Sequence, residues 1–173
     1  MDFASYIRDV RDFPKRGIVF KDITPLLKDA EAFGESVEEL AYRFDDAEVD
    51  YVAAVESRGF IFGAAVAVQL TAGFIPLRKP KKLPYKTVRE TYQLEYGSDA
   101  LEVHEDACGP GDRVLIVDDL LATGGTVAAA RKLIQKLGAE PVGAGFIVEL
   151  DFLKGRNKLE GLWIESLIHY ASE

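Results

Sequence analysis

The segment Val114–Thr126 constrains this chain more than any other. Val114, Leu115, Ile116 and Val117 read as a buried strand, and the carboxylates Asp118 and Asp119 follow at its carboxyl end. A turn of small residues, Ala122, Thr123, Gly124, Gly125 and Thr126, then leads into a helical pattern. Open α/β sheets bind ligands outside the carboxyl ends of their strands. A small-residue loop before a helix amino terminus offers backbone N–H groups and hydroxyls to a phosphate. Two acids beside such a cradle repel a phosphate unless they serve another group, and ribose hydroxyls or Mg²⁺ are the natural candidates. Capping alone requires less than this. The expected ligand is a phosphorylated sugar, with magnesium.

The rest of the chain alternates strand and helix. Phe3, Tyr6, Ile7 and Val10 have helical spacing and predict a short amphipathic helix closed by Pro14; Gly17–Lys21 reads as a short strand or an extended turn. Phe33, Val37, Leu40, Ala41 and Phe44 line one helical face. Tyr51–Val55 is a strand that leads through Glu56, Ser57, Arg58 and Gly59 into a helix at Phe60–Leu70. Phe74–Leu77 and Leu101–His104 read as further strands. The helix Thr126–Leu137 stops at Gly138, and Val142–Leu150 and Trp163–Tyr170 close the pattern. This alternation predicts an α/β fold, a doubly wound and mostly parallel sheet with helices on both faces. With 173 residues and no linker or repeat, a single domain over 1–173 is expected.

Charge narrows the partners. A net charge of −8 argues against bulk nucleic-acid binding, and no apolar run is long enough to suggest a membrane span. No signal-peptide pattern opens the chain and Cys108 is its one cysteine, so a cytoplasmic protein without an internal disulfide is expected. Positive charge is nevertheless concentrated. Arg78, Lys79, Lys81, Lys82, Lys86 and Arg89 are six of the 21 cationic side chains, and they lie within twenty residues. Pro80 and Pro84 break any helix there, while Thr87, Val88, Thr91 and Tyr92 favour extended structure. Residues 78–97 read either as a basic lid over an active site or as a solvated hairpin guarded by lysines.

Four motifs carry a resemblance. Asp118–Thr126 resembles the phosphoribosyl pyrophosphate (PRPP) signature of type I phosphoribosyltransferases. Phe13–Pro25, the loop Arg78–Pro84 with Leu94–Gly97, and Val148–Arg156 resemble the base-binding element, catalytic loop and carboxyl-terminal flank of the adenine-specific members. The likeness spans roughly Tyr6 to Tyr170.

The resemblance implies purine salvage by a glycosyltransferase: adenine and PRPP give AMP and pyrophosphate, with Mg²⁺ held mainly by PRPP and water rather than by protein ligands. It implies a small amino-terminal hood within residues 1–30, a flexible β lid at 78–97, and a homodimer. By position, Asp118 and Asp119 would hold the ribose hydroxyls, and Ala122, Thr123, Gly124, Gly125 and Thr126 the 5′-phosphate. Ser57, Arg58, Lys79 and Lys82 would hold the pyrophosphate, with a cis peptide between Glu56 and Ser57. Val19 and Lys21 would read adenine through backbone groups, with Phe20 and Leu150 enclosing the ring. Lys21 stands where the family often has Arg. Glu95 matches the carboxylate that handles the purine proton, and Tyr96 would help close the lid. A PRPP-sensing regulator on the same fold would need neither the Phe13–Pro25 element nor Leu94–Gly97.

Overall fold

A computed structural model describes residues 1–93 and 97–172. A 3-10 turn at Phe3–Tyr6 precedes the hairpin β1 (Arg8–Arg11) and β2 (Val19–Asp22), then α1 (Thr24–Lys28) and α2 (Ala30–Tyr42). Next come β3 (Tyr51–Val55), α3 (Arg58–Gln69), β4 (Gly73–Leu77) and a second hairpin, β5 (Thr87–Gln93) with β6 (Ser98–His104). The chain closes with β7 (Arg113–Leu121), α4 (Gly125–Lys136), β8 (Glu140–Leu150), two 3-10 turns and β9 (Ile164–Tyr170). The main sheet has the order β4-β3-β7-β8-β9, and every pairing in it is parallel.

Alternation along β7 explains the layering. Val114 and Ile116 face a core completed by Val127, Ala130, Leu133 and Ile134 of α4. Leu115 and Val117 face the opposite core, built from Leu40 of α2 and Phe62 and Val66 of α3. Side chains alternate across a strand, so a four-residue apolar run must be covered on both faces. The Asp29 side chain caps α2 by accepting the Ala32 N–H at 3.0 Å. No helix among the described residues is long and apolar enough to cross a membrane.

Three local expectations need correction. The amino-terminal helix does not form beyond Phe3–Tyr6, and Arg8–Arg11 instead pairs antiparallel with Val19–Asp22. One isolated turn of helix is a costly nucleus, whereas the hairpin gives these backbone groups partners. The strand β7 also runs past the two acids: Asp118 pairs in register with Phe146 and Leu121 with Glu149. Residues 98–104 do not join the main sheet. They form the inner strand of the second hairpin, whose Leu101 and Val103 are buried against the α4-side core. A single bridge, Arg78 with Glu102, ties β6 to the end of β4.

Candidate active site

The carboxyl ends of β3 and β7, the first hairpin, Lys79 just after β4 and Tyr92 near the end of β5 enclose a cleft of about 880 Å³. Phe13 and Phe20 of the hood, Ser57 and Arg58, Lys79 and Tyr92, Asp118 and Asp119, and Ala122 and Thr126 all line it. Segments separated by a hundred residues therefore meet around one cavity, as parallel topology requires of loops at the same sheet edge.

The acid pair lies deepest. Asp119 is buried and its carboxylate lies 2.8 Å from Arg58 Nε, while its backbone N–H donates to Asp118 Oδ1 at 3.0 Å. Burial, reinforced by the neighbouring charge of Asp119, pushes the Asp118 carboxyl well above the usual carboxylate range. Burial also raises Asp119, with Arg58 opposing that rise. Two crowded carboxylates of this kind favour a ligand that brings hydroxyl donors or positive charge. Gly59 makes the arrangement possible, since a Cβ there would lie 2.6 Å from Asp118 Oδ1. The Arg58 guanidinium also stacks 5.0 Å from the Phe20 ring centre, so one cation spans the acid pair and the hood.

Beside the acids, residues 122–126 wrap a small crevice that Asp118 also lines. Gly124 has φ +77°, a left-handed conformation that suits glycine and turns the chain into α4. The loop therefore leads straight into the amino terminus of a twelve-residue helix, where backbone N–H groups are unsatisfied. The peptide between Glu56 and Ser57 is cis, as is Phe13–Pro14.

The hood is pinned from behind. Arg8 contacts Asp22 at 2.9 Å, and Phe13 meets Phe20 edge-to-face at 5.2 Å. Phe20 and Asp22 line the cleft, whereas the Lys21 side chain turns away. It is buried, bonded to Asp9 at 2.8 Å and set 4.0 Å above the Tyr170 ring. Val19 and Lys21 share one strand parity, so their backbone groups face the same strand edge. Leu150 is half-buried, packs against the α2- and α3-side core, pairs in register with Tyr170 and is not among the residues lining the cleft, whose apolar wall is formed by Ile23, Leu27 and Leu120.

The basic segment is less free than its composition suggests. Arg78 Nε and the Lys79 N–H both donate to Glu56 Oε1, at 3.2 and 2.7 Å. Lys79 Nζ pairs with Asp99 and donates to Tyr92 Oη at 3.1 Å. Burial alone would lower the Lys79 pKa, but Asp99 and Tyr92 hold it above its usual value, so it stays charged. Lys86 lies 3.8 Å from Glu105, and Lys82 is exposed and outside the cleft lining. The partners Glu56, Asp99 and Glu105 all fall outside residues 78–97, which is why that window alone looked so unbalanced. Glu95 and Tyr96 lie outside the described residues.

Sequence reasoning missed Glu56 as the tie between two loops, and Gly59 as the space beside Asp118. A glycine directly after Arg58, the first residue of α3, was the available signal. A separate acidic group, Glu149, Asp151 and His169, brings its ligand atoms within 4.8 Å of one another. Both Glu149 oxygens are already engaged there by Arg156, at 2.7 and 2.8 Å, and Ser166 donates to one of them.

Residues 26–165 match the phosphoribosyl transferase domain family. The adenine phosphoribosyltransferases of Acidobacterium capsulatum and Thermotoga maritima are 56% and 55% identical to this chain. Those alignments cover 96% and 98% of it, and 92% and 98% of the relatives. The crystal structure of adenine phosphoribosyltransferase from Thermoanaerobacter pseudethanolicus gives a TM-score of 0.95 at 53% identity, covering 98% of each chain. The Saccharomyces cerevisiae enzyme, solved with adenine and an imino-altritol bisphosphate, gives 0.87 at 38% identity over 95% of this chain and 98% of that one.

Proposed function

This chain belongs to the adenine phosphoribosyltransferases of the phosphoribosyl transferase family, and from that premise we propose how its cleft makes AMP and pyrophosphate from adenine and PRPP. One observation carries the reading: the acid pair, the 122–126 loop and the aromatic hood open onto the same cavity.

Ala122–Thr126 hold the 5′-phosphate through backbone N–H groups and the hydroxyls of Thr123 and Thr126, at the positive end of the α4 dipole. Asp118 and Asp119 accept hydrogen bonds from the ribose 2′- and 3′-hydroxyls. As the C1′–O bond to pyrophosphate breaks, positive charge grows on the ribose, and the two carboxylates are already in place to offset it. Ser57, Arg58 and Lys79 hold the diphosphate, with Lys82 adding charge at the rim. Arg58 is paired with Asp119 in the structure, so PRPP draws the guanidinium fork onto phosphate and offers Asp119 the ribose diol in exchange.

Mg²⁺ would arrive on PRPP, held mainly by PRPP and water, and the two inward carboxylates give it a compatible oxygen-rich wall without being its main ligands. When bound, Mg²⁺ neutralises the departing diphosphate. Adenine lies against Phe20, and the backbone C=O and N–H of Val19 and Lys21 read its N6 donor and N1 acceptor. A 6-oxo purine reverses that pattern, and the mismatch costs on the order of 1–3 kcal/mol. Glu95 takes the purine proton and Tyr96 closes the lid against water.

We read the chain as one unit, with residues 1–30 as base-binding element and 78–97 as lid, working in the cytoplasm as a homodimer. Exposed Val68 on α3 and Phe74 on the edge strand β4 favour a second copy. Sedimentation at micromolar concentration tests this, and a monomer alone rejects it.

The reaction is tested by PRPP-dependent turnover of adenine, hypoxanthine, guanine and xanthine in parallel. Adenine is expected to react only with PRPP and Mg²⁺ present. Equal turnover of hypoxanthine would overturn the base assignment.

A further inference from the structure

The chain returns behind the 122–126 loop as Lys154–Lys158, and the two backbones are in contact there. A Cβ on Gly155 would collide with the Ala122 carbonyl oxygen and lie 3.0 Å from Leu121 Cδ1. A Cβ on Gly124 would collide in turn with the Gly155 carbonyl. Gly155 is buried, and Leu159, buried in the α4-side core, anchors the far end of the turn.

Arg156 fixes this contact. Its Nε and Nη2 donate to the two Glu149 oxygens at 2.7 and 2.8 Å, and Nη1 donates to the Ile164 carbonyl at 3.3 Å. Glu149 is 3% exposed and sits in register with Leu121, the residue just before the loop. Burial raises its carboxyl, but the Arg156 fork and the Ser166 hydroxyl more than offset this and hold it below its usual range. Both sides of the Gly155–Ala122 contact are therefore referred to one paired rung of β7 and β8.

We propose that Gly155 and Arg156 are positioning residues for the 5′-phosphate subsite. The proposal rests on the reading of Ala122–Thr126 as that subsite. The Glu149–Arg156 fork presses the Gly155 backbone against the rear of the loop and so sets the direction of the loop's N–H donors. Neither residue lines the cleft or the crevice. Their influence passes through loop shape, to which phosphate binding is sensitive because displacements near 1 Å can cost about a hundredfold.

The test is steady-state kinetics of the full chain carrying Gly155→Ala, Arg156→Lys, Arg156→Ala or Thr126→Ala, varying PRPP and adenine separately, with thermal melting of each variant. Gly155→Ala should raise KM for PRPP about tenfold or more while kcat and the adenine KM stay within about threefold. Arg156→Ala should act in the same direction, and Arg156→Lys less, since one ammonium replaces part of the fork. A PRPP KM within about twofold of the parent in both Gly155→Ala and Arg156→Ala overturns the proposal, as does a loss confined to kcat or melting temperature. Where Gly155→Ala does not fold, the two Arg156 variants decide by the same criterion. Thr126→Ala separates the layers. A raised PRPP KM there with unchanged Gly155 and Arg156 variants rejects positioning alone, whereas an unchanged Thr126→Ala rejects the phosphate-loop reading and the proposal with it.

Discussion

On one side of the cleft, the 122–126 loop is wedged between β7, α4 and the backbone at Gly155, with no room for a side chain at the contact. On the other, the outer strand of the β5–β6 hairpin lies over α4 through the half-buried Val88 and Tyr92 and through ion pairs to exposed lysines: Glu90 lies 3.4 Å from Lys132 and 2.6 Å from Lys136 of α4. Close backbone packing is short-ranged and insensitive to salt, whereas exposed pairs contribute about 1 kcal/mol or less and are screened. The difference suits the two proposed roles. A phosphate cradle works by keeping its donors fixed, and a lid works by moving. The inner strand β6 buries Leu101 and Val103 in the α4-side core, whereas β5 only lays the half-buried Val88 and Tyr92 against it, so motion of the hairpin is expected to begin in β5.

The largest expected effect lies with the rigid side. Asp118→Asn combined with Asp119→Asn should lower kcat by about a thousandfold or more while the fold persists, judged by circular dichroism. A near-normal rate in that variant would make the pair merely structural and remove the rigid wall's chemical role. Gly59→Ala comes next, because the new methyl group meets Asp118 Oδ1 and must displace it. A fall in kcat of about a hundredfold, with PRPP binding less affected, is the expected result. Unchanged kcat would mean the acids tolerate movement, and the contrast with the lid would lose its basis.

Smaller effects sharpen the mobile side. Glu90→Gln removes the two ion pairs to α4 and should change stability by less than about 1 kcal/mol and PRPP KM by about twofold. That change should fade in high salt. Glu90 is held below its usual pKa by Lys136, so this contribution is present at neutral pH and is lost as pH falls through the carboxylate range. A large, salt-independent effect would place the hairpin with the rigid elements.

Asp118→Asn alone gives the last test, by melting. The folded protein raises the Asp118 pKa above the ordinary 3.8, so it binds a proton where the unfolded chain releases one. Stability is therefore lost as pH rises above 3.8, and the loss is complete once pH exceeds the folded value. Replacing the acid with Asn should raise the melting temperature by roughly 2–4 °C near pH 7 for each 1 kcal/mol relieved, and the gain should vanish below the unfolded pKa. No gain at neutral pH would mean that Asp118 carries no burial penalty.

By itself, the sequence was enough to specify the layered α/β fold and the strand–turn–helix unit that carries the acid pair and the glycine-rich loop. These are local signals: a run of β-branched residues needs cover on both faces, and small residues before a helical stripe mark a strand–turn–helix unit. The motif resemblance reached further, to the family. What sequence could not reach depends on distant parts of the chain. The turn of Phe3–Tyr6 gives way to β1 because its partner strand lies ten residues on, and β6 leaves the main sheet for a hairpin. Lys21 faces Asp9 and Tyr170 instead of the cleft, Leu150 packs half-buried against the core, and Asp99 neutralises a lysine that seemed free. Gly155 reads as an ordinary turn residue until the fold brings it against Ala122. Such contacts have no signature in local periodicity, because burial and pairing depend on which segments the tertiary structure brings together.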